Sequence, residues 1–338
     1  MAQAVNGDDV HVDVGTIEKQ LAELWRAEKG EQDDAAVTRA ALWNVVAHSW
    51  TSEQQAHATE ILALASASVP QRTIVVRSDP RGDAGISSWI SANCHLIGGG
   101  RQVCSEEVSI VAAGDRVHHV APLVKALLLP DMPVAVWWLG DLPDDHHRYA
   151  ETLLDPADRL IVDSSHFNSP SDLELVSRIA ERTTTAPADL NWARLEEWRG
   201  ATATLFDAPA MRERLRGIRA VRVTLGGKGF GATAGAMLYA SWIAAQTGSA
   251  AKLDVVREEE GSGIRGIELH FDDASTATIR REREGGAVVA SSDVTETRLD
   301  CIARPLAHST EDLIVRLLKR PEADRVYLRA LKGARAAS

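Results

Sequence analysis

Apolar residues recur along this chain at two spacings, one that suits helices and one that suits strands. Ile17, Leu21, Leu24 and Trp25 fall on one helical stripe, with Thr16 as the expected cap and Gly30 as the stop. ALWNVVAHSW then reads as a strand. Ser52 and Gln55 form a capping-box pattern ahead of a helix to about Ser68, Pro70 ends it, and RTIVVRS is the next strand. Strand, helix and strand over this length predict a parallel crossover. Ser88 to Leu96 and Val103 to Ala112 read as two strands joined across Gly98, Gly99 and Gly100, which predicts an antiparallel hairpin. Residues 116–129 have an apolar helical side, and Pro122 places the start of that helix near itself. Val134 to Leu139 is a short apolar run that suits a strand covered on both faces, and Arg159 to Asp163 is a further strand. Asp172 to Arg182 is the next helix.

The second half reads differently. A helical region runs to Gly217 with a break at Asp207 to Pro209, and AVRVTL is a strand leading through GGKGFGA into a helix from Thr233 to Gln246. LDVVREEE, GIRGIELHFDD, TATIRRERE and GAVVASSD follow as strands expected to form an antiparallel sheet backed by that helix. A capped amphipathic helix, Ser309 to Lys319, closes the pattern. Thr183 to Pro187 is the best linker, so the expected domains are residues 1–186 and 187–338. The fold class is α/β (α+β): an N-terminal mixed sheet flanked by helices and a C-terminal, largely antiparallel sheet with packed helices.

Composition narrows what such a chain does. With 338 residues, 45% hydrophobic and 25% charged, it has the make-up of a globular protein with ordinary cores. A formal charge of −11 argues against broad binding to nucleic-acid phosphates. No apolar run approaches the ~20 residues of a membrane span. MAQAVNGDDVHVD lacks a basic and then apolar leader, so a cytoplasmic location is expected.

Several residues are candidates for chemistry. Cys94, His95 and Cys104 carry zinc-binding groups, but no close ligand pair accompanies them, and His118, His119, His146 or His147 would complete a site only through the fold. Three readings of the two cysteines stay open: buried free thiols, a redox pair, or metal ligands, with no metal expected. Glu106 and Glu107 are neighbours on a strand and face opposite ways, one expected in solvent and the other near an arginine or in the core. Gly227, Gly229 and Ala232 fit G-x-G-x-x-A between a strand and a helix, and Gly227, Lys228 and Gly229 are candidate anion binders at that helix start. The strands that follow are expected to be antiparallel, unlike a dinucleotide-binding half, and Asp254 and Glu258 lie a little late for its acidic residue. No nucleophile elbow, zinc-protease or kinase motif is present. Nine tryptophans stand against three tyrosines and four phenylalanines, and Trp137, Trp138, Trp192, Arg194, Trp198 and Arg199 are candidates for partner binding or packing.

Two blocks carry a resemblance. CHLIGGGRQVCSEEVSI followed by LLLPDMPVAVWWLGD, and later DLNWARLEEWRGATATLFDAP, resemble in order the glucose-6-phosphate dehydrogenase assembly protein family, OpcA. The matching positions include Cys94, Cys104, Ser105, Glu106, Pro130, Asp131, Trp137 and Trp138, then Asp189, Trp192, Arg194, Trp198, Arg199, Phe206 and Asp207. The resemblance implies a non-catalytic partner of glucose-6-phosphate dehydrogenase, without a cofactor, that promotes its assembly and activity in the oxidative pentose phosphate pathway. It also implies a structure-holding role for Glu106. The alternative is a nucleotide- or sugar-phosphate-binding sensor or enzyme that uses Gly226 to Gly231.

Overall fold

A computed structural model describes residues 3–5, 14–30, 37–97, 101–142, 152–227, 229–282, 286–294, 301–303 and 309–336. In chain order the first elements are β1 (Gln3–Val5), α1 (Val14–Gly30), β2 (Val37–Arg39), β3 (Trp43–Ser49), α2 (Ser52–Ser66), β4 (Gln71–Asp79), β5 (Gly85–Ile97), β6 (Arg101–Ala113), α3 (Val120–Leu127), β7 (Val134–Trp138) and β8 (Arg159–Val162). Next come α4 (Pro170–Arg182), β9 (Ala186–Asp189), α5 (Leu190–Arg194), α6 (Glu196–Leu205), α7 (Pro209–Arg212), β10 (Ile218–Gly226) and α8 (Phe230–Thr247). Last are β11 (Lys252–Glu258), β12 (Gly263–Phe271), β13 (Thr276–Arg281), β14 (Val288–Ser292), β15 (Cys301–Ala303), α9 (Thr310–Leu318) and α10 (Arg325–Ala336).

The chain divides into two compact units whose segments interleave. The first comprises 1–162, 184–186 and 309–322; the second comprises 163–183, 187–308 and 323–338.

In the first unit the strand order is β1-β5-β6-β4-β3-β7-β8, with β2 beside β6. β3, β4, β6, β7 and β8 are mutually parallel, and the β5–β6 hairpin is antiparallel in register from Gly85↔Ala113 to Ile97↔Arg101. Every residue of β3, β7 and β8 is buried, as expected of strands covered on both faces. Helices supply that cover. Thr59 of α2 reaches Glu107 on one face, while Glu18 of α1 and the Leu127 carbonyl at the end of α3 reach Arg72 on the other. Ile17 and Leu21 of α1 are buried, and the helix starts at Val14 rather than after Thr16. The α2 cap lies one residue earlier than its sequence pattern suggested: Thr51 Oγ1 accepts from Gln54 N, and Gln54 Oε1 accepts from Trp50 N. Both frames fit the motif, and the end of β3 selects the earlier one. Residues 114–119 form a 3-10 turn, so α3 begins at Val120, close to Pro122. Late in the chain, α9 returns to pack on α2, burying Leu313, Ile314 and Leu318.

The second unit holds a sheet of order β11-β10-β12-β13-β14-β15. Val221, Val223 and Leu225 of β10 and Ile267, Leu269 and Phe271 of β12 are buried and alternate with more exposed residues, the pattern of a sheet covered on one face. α8 packs on β10, β11 and β12, and α6 on β14 and β15. One expectation is corrected: β11 is parallel to β10, so β10–α8–β11 is a crossover, and only the remaining pairs are antiparallel. Alternating strands look the same in either direction, and a helix as long as α8 between two neighbours requires the parallel one. α10, which the sequence pattern did not suggest, buries Tyr327, Ala330, Leu331 and Ala334 and packs on α8 and α4.

Candidate functional site

Order β6-β4-β3-β7-β8 means that the chain leaves β3 in one direction through β4 and in the other through β7. In open parallel sheets the crevice at the carboxyl ends of such diverging strands is the usual place for a ligand. Here side chains fill it. His48 at the end of β3 stacks on Trp138 at the end of β7, ring centroids 4.0 Å apart, and meets the edge of Trp50 at 4.6 Å. Trp50 and Trp138 both donate their indole N–H to the Asp141 carbonyl, at 3.0 and 2.9 Å. His48 Nε2 lies 3.2 Å from Ser78 Oγ, and burial pushes its pKa down to about 3, so the ring is neutral at physiological pH. The first turn of α2, which would face a phosphate, uses Thr51 and Gln54 as its caps. The resulting arrangement is a packed aromatic plug. Trp137, the other member of the pair, is also buried and approaches His57 edge-on.

The β5–β6 hairpin lies across β4 from β3. Cys94 and Cys104 sit directly opposite each other and form a disulfide. Adjacent His95 faces the other way, with Nε2 3.0 Å from Ser66 Oγ on α2, which separates it from the sulfurs. Among the described residues no group of three His, Cys, Asp or Glu is placed to hold a metal; His146 and His147 lie outside them.

The two glutamates differ from expectation in one respect: neither faces solvent, since Glu106 is 3% and Glu107 2% exposed. Covering both sheet faces with helices makes that so. Glu106 accepts from Arg72 Nε at 2.5 Å, and Arg72 Nη1 donates to Glu18 at 2.7 Å and to the Leu127 carbonyl at 2.6 Å. Burial works against the Arg72 charge, but Glu18 and Glu106 outweigh it and hold its pKa above the usual value. Taking one partner from such a buried pair costs about 3–5 kcal/mol. Among the described residues Glu107 has no such cation. Burial raises its pKa, and contacts from Ser109, Thr59 and Asn93 only partly oppose the shift.

In the second unit the tryptophan and arginine candidates are held in contacts within the unit, with Trp192 and Trp198 both buried. Trp192 donates Nε1–H to Asp324 at 2.9 Å and lies 5.6 Å from the Tyr327 ring, while the Arg199 guanidinium stacks 3.6 Å above its indole. Arg194 pairs with Asp163 at 2.9 Å; burial raises the Asp163 pKa, but Arg194, Ser165 and His166 hold it below the usual value. Trp198 packs near Arg281, whose guanidinium donates to the buried Glu197 at 2.8 Å. Nearby Asp189 caps α5. Burial and then the charge of Asp163 push its pKa up to about 6. These side chains hold their own unit together. Sequence reading named Asp189 only as a position of the family block, and it missed Asp324, whose partner Trp192 lies 132 residues away in the chain.

The glycine-rich turn does join a strand to a helix in a parallel crossover, and Glu258 ends β11 in register with Gly226. Its glycines, however, serve close packing. A Cβ on Gly226 would lie 2.7 Å from the Gly261 backbone, and one on Gly231 would lie 1.8 Å from the Ser165 carbonyl oxygen. Gly229 caps α8 at φ 111° with open space around it. Arg257 donates to the Gly227 and Gly229 carbonyls and to Thr233 Oγ1, so a cation of the same unit already faces the turn. Lys228 lies outside the described residues.

Comparison with known proteins gives matches in both halves. The glucose-6-phosphate dehydrogenase subunit N-terminal domain matches residues 63–178, and the C-terminal domain of the same subunit matches 185–331. A protein of Synechocystis sp. (strain ATCC 27184 / PCC 6803 / Kazusa) named OxPP cycle protein OpcA is 31% identical over 184 residues, 54% of this chain and 38% of that protein. Its namesake in Nostoc punctiforme is 29% identical over 216 residues, 63% of this chain and 44% of that protein. The match therefore spans less than half the length of either relative. Among solved structures, a levoglucosan dehydrogenase in complex with NADH covers 89% of this chain and 96% of its own at 10% identity and a TM-score of 0.48, a likeness from which nothing about this chain follows. With two domain families matched across most of its length, and both characteristic sequence blocks in place, the chain belongs to the OpcA family of glucose-6-phosphate dehydrogenase assembly proteins.

Proposed function

We propose that this chain is a non-catalytic cytoplasmic partner of glucose-6-phosphate dehydrogenase that promotes the enzyme's assembly and raises its activity in the oxidative pentose phosphate pathway. The observation that carries the reading is the pair of domain matches over 63–178 and 185–331. The filled crevice at His48, Trp50 and Trp138 supports the non-catalytic part, because the place where an α/β sheet ordinarily works on a ligand holds side chains instead. Activation follows from preferential binding: a partner that binds the active or oligomeric form more tightly raises that form's share in proportion to the affinity ratio. The Cys94–Cys104 pair gives this contact a redox input, and replacing both residues by serine makes activation insensitive to oxidant.

The test is the rate of the same organism's glucose-6-phosphate dehydrogenase with this chain titrated in, alongside gel filtration of the mixture. Saturable activation with a change in oligomer size is expected. No effect on rate, KM or size removes the proposal. A thermal shift of the isolated chain with NADP would then favour a sensor built on Gly226 to Gly231.

A further inference from the structure

The second sheet ends differently on its two sides. One side closes with β15, three residues long, and the other with β11, seven residues long and paired in unbroken register with β10 alone. Among the described residues no other bond reaches the β11 backbone, so one row of its N–H and C=O groups is bare. A bare edge of this length invites another strand, and proteins ordinarily block such edges with a proline, a bulge or charges held along them. β11 has no proline and no bulge. Three of its four charged side chains are engaged on the inner side. Asp254 is drawn to Arg222 on β10 at 2.8 Å, Arg257 reaches back to the Gly227 and Gly229 carbonyls and Thr233, and Glu258 lies 4.0 Å from Arg265 of β12. Between these charges Leu253 and Val255, beside the buried Val221 and Val223, are only half-buried, and Val256 is 42% exposed on the opposite face.

The strand's own sequence sets what fits this edge. Two copies related by a two-fold axis meet edge to edge as antiparallel strands, and directly opposed residues then share a face, so the register must be centred on a residue. Three registers overlap most of the strand. Centring on Asp254 sets two carboxylates against each other, and centring on Val256 sets Asp254 against Glu258 of the second copy. Centring on Val255 sets Lys252 against Glu258, Leu253 against Arg257 and Asp254 against Val256, and the two Val255 side chains meet at the axis. This last register overlaps the whole strand, and of the three it alone joins opposite charges without opposing like ones.

We propose that β11 pairs with β11 of a second copy of this chain, antiparallel and centred on Val255, so that the two second-unit sheets continue as one across a two-fold axis. The pairing satisfies the bare backbone row, brings Lys252 to Glu258 twice by symmetry and covers Leu253 and Val255. It goes beyond the partnership proposed above and is tested without the dehydrogenase.

Light scattering and sedimentation of the full chain over a range of concentrations should show a concentration-dependent dimer. In a Cys301→Ser background, Val255→Cys is expected to give a cross-linked dimer on a non-reducing gel, because opposed Cβ atoms lie about 5 Å apart. Val256→Cys, whose two copies sit on a diagonal about 7–8 Å apart, is expected not to cross-link. Lys252→Glu weakens the dimer about tenfold, and adding Glu258→Lys restores it. A monomeric mass at every concentration overturns the proposal. So does a dimer that Val256→Cys traps as readily as Val255→Cys, or one indifferent to the charge exchange. If the β11 amides gain exchange protection only when the dehydrogenase is added, the edge belongs to that partner and the proposal is overturned as well.

Discussion

The two parallel crossovers, β3–α2–β4 in the first unit and β10–α8–β11 in the second, share a topology and fill their turns in opposite ways. The first turn has no glycine and is packed with His48, Trp50 and the Thr51 and Gln54 caps. The second is rich in glycine and looks like a phosphate loop, yet two of its glycines are there to let backbone approach backbone. A glycine fingerprint reports clearance, and what uses the clearance is decided by the neighbouring chain.

The sharpest way to break this contrast is Gly231→Ala. Its added carbon would lie 1.8 Å from the Ser165 carbonyl oxygen, so a loss of about 3 kcal/mol or more is expected in urea unfolding. Gly229→Ala meets open space and suffers only its backbone conformation, φ 111° and ψ 165°, a cost of about 1–3 kcal/mol. Equal effects at the two positions would refute the packing account.

On the other side, Trp138→Ala removes the floor of the aromatic plug and is expected to destabilise the chain by a comparable ~3–5 kcal/mol. If the rings are what close the first crevice, a thermal shift with NADP appears in this variant and not in the parent. A shift of equal size in parent and variant would mean that the rings do not close the crevice.

Acid separates the units more gently. His48 has a pKa of about 3 folded against 6.5 unfolded, so the unfolded state binds its proton more readily. Its contribution is full above 6.5 and is lost as pH falls toward 3. Asp189 has a pKa of about 6 folded against 3.8 unfolded, so its contribution is full below 3.8 and is lost as pH rises through 6. Acidification from about pH 6.5 to 4 should therefore weaken protection of β3 and strengthen that of α5, as measured by hydrogen exchange. His48→Gln and Asp189→Asn each flatten the response of their own unit. Unchanged slopes in those variants would assign the response to other groups.

Arg257→Ala is the mildest change. Its guanidinium is exposed, and losing its contacts to the Gly227 and Gly229 carbonyls should cost no more than about 1 kcal/mol. Greater flexibility of the turn, seen as faster exchange at the start of α8, is the expected signature.

How far the fold was legible in the sequence follows from the range of the determining contacts. β3, α2 and β4 announce themselves through local runs and a capping motif, and the hairpin through its three central glycines. Strand direction at β11 was misread because alternation carries no direction, although the helix before it did. α10 was missed since two of its buried residues are alanines, Ala330 and Ala334, which give a weak apolar stripe. At the candidate site, Trp137 and Trp138 were visible as residues, but their burial depends on helices covering both faces. The Glu18–Arg72–Glu106 cluster joins α1, β4 and β6, and no local pattern encodes it.

The return of α9 to α2 bears on how the molecule is made. A ribosome releases the strands of the first sheet early, yet the outer side of α2 stays bare until residues 309–322 emerge. Through most of synthesis the nascent chain therefore lacks the late segment that packs on α2. A fragment ending at residue 186 lacks it permanently.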